Sequence, residues 1–141
     1  MHIFCKVSVI SLILICLASC GHSKSTDTES LRSEFRSAIS LASEADMFVN
    51  FVRNGQATGN YTAGHARQLA ELIRQSQTEL KQMANAPAAP AAVRTCGDNL
   101  ESLRRVVLEI PHSLGDPPAL QSRERTIVQI QRQLEQAGAS L

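Results

Sequence analysis

Four cysteines, four histidines and three methionines are the side chains of this chain best suited to hold a metal or act as a nucleophile. Their spacing decides how much chemistry they can do. Zinc needs three or four His, Cys or acidic ligands gathered at short intervals, and the sequence has no such cluster. Glu109 and His112 form a Glu-x-x-His element of the kind that di-iron carboxylate bundles use twice, but only one copy is present and Pro111 breaks the helix inside it. His65 falls one position before the apolar repeat residue Ala66, near an expected helix start, where a solvated or capping imidazole is the ordinary outcome; His22 lies in a polar stretch. Met47 and Met83 fall on or beside apolar seams, where methionine usually fills core, and the Cys-x-x-Cys-His pair that attaches haem is absent. There is also no Gly-x-Ser-x-Gly elbow and no glycine-rich phosphate loop. No catalytic, metal-binding or cofactor-binding residue is assigned, and the chain is expected to be no enzyme.

The most telling cysteine is Cys20. A positive residue, Lys6, precedes an apolar run from Val7 to Leu17, and small residues follow it, which is the order of a cleaved export signal. The run is too short to span a bilayer, which takes about 18 or more apolar residues, and Gly21-His22-Ser23-Lys24-Ser25 turns polar at once. The tetrad Leu17-Ala18-Ser19-Cys20 resembles the lipobox of bacterial lipoproteins: an aliphatic residue, two small ones, then cysteine. That resemblance covers residues 1–20. It implies that the Cys20 thiol receives a diacylglyceryl group, that residues 1–19 are removed, and that the new amino terminus is acylated. Because Gly21 and not aspartate follows the cysteine, it also implies the periplasmic face of the outer membrane, if the organism has one. The plainer reading of the same residues is an ordinary export signal cut nearby, with Cys20 left as a free thiol. Two or three acyl chains would anchor firmly, since each buried methylene contributes about 0.8 kcal/mol.

Removing residues 1–19 leaves 122 residues, one domain's worth, with 13 acidic and 13 basic side chains and a net formal charge of zero. Such a chain, with one Tyr and no Trp, has neither the basic stripe nor the stacking surface of a nucleic-acid binder, so nucleic acid is not an expected partner. Arginine outnumbers lysine 11 to 2 in this part, but the arginines are scattered and meet acids at helical spacings, which fits surface pairing better than an anion site.

The elements that would position these residues are helices. Residues 20–28 read as the lipidated cysteine and a flexible polar tether, whose eight residues after Cys20 reach at most about 28 Å. Thr26-x-x-Glu29 has the capping-box pattern, and residues 29–141 then form the domain. In the first helix Leu31, Phe35, Ala38, Ala42, Ala45, Val49 and Val52 recur at four-three spacing, with Ile39, Leu41, Phe48 and Phe51 widening the seam, until Asn54-Gly55 supplies a stop. Thr62, Ala66, Leu69, Ile73, Ser76, Leu80 and Met83 repeat the pattern in a second helix that begins at Tyr61 or Thr62 and ends before Pro87.

A third helix has two possible starts. If it starts at Pro90, Val93, Cys96, Leu100, Leu103, Val107 and Ile110 hold one unbroken register and Cys96 is a buried small hydrophobe. If it starts at Asp98, Cys96 precedes a helix amino terminus, where the dipole would make it a reactive or bridging thiol. The unbroken register favours the early start. Asp116-Pro117 opens a fourth, more polar helix carrying Leu120, Ile127, Ile130, Leu134, Ala137 and Leu141, with Arg123 in an otherwise apolar place.

Four helices with short connections predict an all-α, up-down-up-down four-helix bundle. The expected role is that of a lipid-anchored cell-envelope module that binds an envelope protein or supports structure. A small-ligand or metal carrier using the bundle interior, and a self-associating coiled-coil module or homo-oligomer, are the alternatives. Arg123 and Arg125 on the fourth helix and the loops at residues 56–60 and 111–116 are the obvious contact surfaces.

Overall fold

The computed structural model describes residues 23–83 and 90–141. Cys20 and the signal segment lie outside the described residues. Four helices follow in order: α1 (Ser23–Arg53), α2 (Gly59–Met83), α3 (Pro90–Glu109) and α4 (Pro117–Ala139), with a 3-10 turn at Pro111–Ser113 between the last two. Among the described residues there is no strand, and the chain is the all-α four-helix bundle that its periodicity predicts. No helix among them is long and apolar enough to cross a membrane.

Each end of a helix has a local cause. Gly55 adopts the left-handed conformation (φ 71°), which lets its N–H reach the Val52 carbonyl (3.0 Å) and the Gln56 N–H reach that of Phe51 (3.2 Å), the paired bonds of a Schellman stop. Thr58 then opens α2, its Oγ1 accepting from the Tyr61 N–H at 3.3 Å. The second helix thus starts at Gly59, two or three residues before the expected Tyr61 or Thr62, because the cap is Thr58. Asp116 caps α4 by accepting from the Ala119 N–H (3.0 Å), with Pro117 at the first helical position as expected.

α3 starts at Pro90 and carries Gly97 within it. This is the early start that the unbroken register of Val93, Cys96 and Leu100 favours. The tether needs correction: the backbone is helical from Ser23, so most of the stretch read as flexible belongs to α1, and Thr26 with Glu29 lies inside the helix and not at its cap. Polar composition removed the reason to bury these residues, but it does not stop them extending a helix already nucleated downstream. At 1.5 Å per residue, α1 is about 46 Å long.

The seam residues form one core. Leu31, Phe35, Ala38, Ala42, Ala45, Phe48, Val49 and Val52 of α1 meet Ala66, Leu69, Ile73 and Leu80 of α2, Cys96, Leu100, Leu103 and Val107 of α3, and Leu120, Ile127, Ile130 and Leu134 of α4. Packing is most extensive between α1 and α4 and between α2 and α3; α1 also touches α3 across the diagonal, whereas α2 and α4 do not meet. Ala38, Ala42 and Ala45, all 0% exposed, make this diagonal approach possible, because small side chains let helices come close. Replacing Ala42 with leucine is expected to overpack this face and cost about 1–3 kcal/mol, read as a lower urea midpoint with an unchanged slope.

Candidate functional site: an aromatic cleft at one end of the bundle

The up-down order puts the loops at residues 54–58 and 110–116 at the same end, and Leu114 Cδ1 lies 3.8 Å from where a Cβ on Gly59 would stand. The start of α1 and the end of α4 share the other end, tied by a hydrogen bond from Arg32 Nη2 to the Leu141 carbonyl (2.6 Å). This polarity matters because of where apolar surface remains. Among the described residues five large hydrophobic side chains stay exposed: Met47 (71%), Phe51 (38%), Tyr61 (49%), Leu72 (38%) and Leu114 (41%). All but Leu72 lie toward the loop end.

Three of them line a cleft of about 290 Å³ between the last turns of α1 and the first turns of α2, together with Glu44, Phe48 and His65. Glu44, Met47, Phe48 and Phe51 share a face of α1 through three- and four-residue steps, and Tyr61 and His65 do so on α2. The antiparallel pairing sets Phe51 beside Tyr61 and Phe48 beside His65. Their rings form a continuous run: Phe48 meets His65 edge-on (4.6 Å between centroids, 65°), His65 stacks on Tyr61 (5.6 Å, 6°), and Tyr61 meets Phe51 edge-on (5.8 Å, 67°). His65 Nε2 lies 3.6 Å from Glu44 Oε1, beyond hydrogen-bond distance. His65 is therefore part of an aromatic cluster, where its position near a helix start had suggested a solvated or capping group.

Two further side chains at this cleft depart from their expected places. Met47 faces solvent instead of filling core, and Phe51 widens the surface and not the seam. The sequence did carry a signal. Three of the four aromatic residues after position 20 fall between Phe48 and Tyr61, and Glu44, Met47 and Phe51 sit off the buried positions at Ala45, Val49 and Val52.

The other chemistry-bearing residues are placed as follows. Cys96 is free and 0% exposed, on the seam, and its burial, aided by the charge of Glu34, pushes the thiol up to about 12. Glu34 is half-buried between α1 and α2, accepting from Ser76 Oγ at 3.4 Å. Burial raises its pKa, the nearby Glu79 charge adds to this, and the Ser76 bond offsets part of it. Glu109 and His112 do not act together: Glu109 Oε2 pairs with Arg123 Nη1 at 2.9 Å, and His112 is exposed on the 3-10 turn. Arg123 is thereby engaged within the bundle, its Nε buried without a hydrogen-bond partner, while Arg125 stays exposed. Among the described residues no group of three or more His, Cys, Asp or Glu is placed to hold a metal ion.

Two expectations follow. Native protein at mildly alkaline pH should react with a thiol reagent at Cys96 at least about a hundredfold more slowly than the unfolded chain; comparable rates would contradict its burial. Because the fold disfavours ionised Glu34, the stability its neutral form contributes is present below the ordinary carboxylate range and is lost as pH rises through its titration. Glu34→Gln should therefore be the more stable protein at neutral pH, by less than about 1 kcal/mol, with the two denaturation curves converging in acid.

Set against models of protein families, curated proteins and solved structures, the chain matches none of them.

Proposed function

We propose that this chain is a lipid-anchored, non-enzymatic module of the bacterial cell envelope. In this reading it is fastened through Cys20, and the aromatic cleft at the far end of its bundle docks another protein. The observation that carries the docking part is the clustering of exposed large apolar side chains at one end, since apolar surface gathered in one patch commonly marks an interaction site whereas scattered residues do not. Support for the anchor comes from the tetrad Leu17-Ala18-Ser19-Cys20 at the end of an export-type signal.

In this reading α1 separates the two. Ser23 begins α1 three residues after Cys20, and Met47 lies 24 residues further along the same helix, about 36 Å away. A chain held at Cys20 would present the cleft well above its own bilayer, with the first turns of α1 as a spacer in place of a flexible tether. The arrangement suits an envelope protein reaching for a partner in the space above the membrane.

Cys20→Ala is expected to abolish palmitate incorporation and release the chain from the membrane fraction, while a photo-crosslinker at Met47 links the wild-type protein in cells to a discrete partner. A variant that stays lipidated and membrane-bound would remove the anchor. Cross-linking that is efficient at Gln129 on α4 but absent at Met47 would move the docking surface elsewhere.

A further inference from the structure

Five acids among the described residues, all glutamates, have arginine partners within the bundle. Glu29 pairs with Arg32 and Arg36, Glu71 with Arg74, Glu101 with Arg104 and Arg105, Glu109 with Arg123, and Glu124 with Arg53. Glu44 differs. Its ion-pair neighbour among the described residues is His65 and not an arginine or lysine, and it stands at one side of a cleft whose other lining is Met47, Phe48, Phe51, Tyr61 and His65. The cleft thus combines π-rich walls with one carboxylate, the imidazole of His65, and neither arginine nor lysine.

That combination complements one kind of group. A cation is attracted to the faces of aromatic rings, and a guanidinium adds planarity that stacks on them and a fork of N–H donors that matches a carboxylate. It is also weakly hydrated, so it enters a half-buried site at less cost than an ammonium. The space, about 290 Å³, falls just short of the about 300–1,000 Å³ of ligand pockets and suits one long side chain better than a packed helix.

We infer that the cleft receives an arginine side chain of a partner protein, with its guanidinium paired to Glu44 and its aliphatic stem laid across Met47, Phe51 and Tyr61. This rests on the reading of the loop end as a docking surface and names the chemistry that surface selects. The rings supply attraction that any apolar side chain would share, and Glu44 supplies the preference for positive charge.

The test uses the full chain, expressed with its N-terminal segment and purified in mild detergent, and pools of peptides with a fixed central residue in a randomised frame. Arginine-centred pools should be retained about tenfold better than pools centred on citrulline, the neutral isostere, or on glutamate. Glu44→Gln should erase that preference, Tyr61→Ala should lose retention altogether, and Glu71→Gln, whose carboxylate pairs elsewhere on α2, should change nothing. Phe51→Ala replaces Tyr61→Ala if the latter melts early.

Equal retention of arginine and citrulline centres would overturn the arginine assignment and leave apolar docking standing. Failure of every pool to distinguish wild type from Tyr61→Ala would overturn both. Binding to phosphatidylglycerol vesicles, or a concentration-dependent dimer, lost in Tyr61→Ala would assign the cleft to lipid or to a second copy and overturn the proposal.

Discussion

The close approach of α1 to its three neighbours is the constraint on which the rest of the bundle depends. Ala38, Ala42 and Ala45 occupy successive core positions with no exposed surface, so α1 sits near enough to touch α2, α3 and α4 together. Larger buried residues bracket this stretch, Leu31 and Phe35 before it and Phe48, Val49 and Val52 after it. One long helix therefore serves as the spine. In the proposed role it would join the two working ends, since it starts at Ser23, three positions after Cys20, and its last turns build one wall of the aromatic cleft. Any tilt of α1 in the core is transmitted to the cleft, because close-packed interiors do not absorb strain locally.

Polar groups are placed so that few of them pull against this packing. Most ion pairs lie on the surface at helical spacings, where each is worth at most about 1 kcal/mol and mainly keeps the outer faces solvated. The exceptions sit at helix interfaces. The pKa values of Glu34 and Asp46 are both raised from their ordinary values, first by burial, and that of Asp46 also by the charge of Glu124, with Arg53 opposing it. Cys96, on the same seam as Leu100 and Leu103, behaves as a small apolar side chain and not as a nucleophile, since its thiolate would have to form in the core.

The fold was legible because its signal is periodic. A four-three repeat identifies a helix face without knowledge of what covers it, and the seam residues from Leu31 to Val52 are buried as that repeat requires. The start of α3 was legible for the same reason, since only a helix running through Gly97 keeps Val93 and Cys96 in register with Leu100. Helix ends were harder. Ser23 to Thr28 lack large apolar residues, and composition alone does not separate a polar helix extension from a coil. The cleft was least legible, because Met47, Phe51 and Tyr61 are apolar and a sequence pattern assigns apolar residues to the core by default. Only the packing of α1 on α2 shows that these three flank the seam on its outer side and gather with Glu44 and His65.

The central claim is that one helix separates an anchored end from a docking end. Its most direct test is the height of the cleft above the bilayer. A fluorophore on Met47→Cys, in protein anchored through a lipidated Cys20 in vesicles, reports its distance from an acceptor dye in the lipid headgroups by energy transfer. The geometry of α1 predicts a separation of more than about 30 Å, with no quenching by lipid-borne quenchers. A separation below about 10 Å with strong quenching would place Met47, Phe51 and Tyr61 in the membrane surface, and contradict the account.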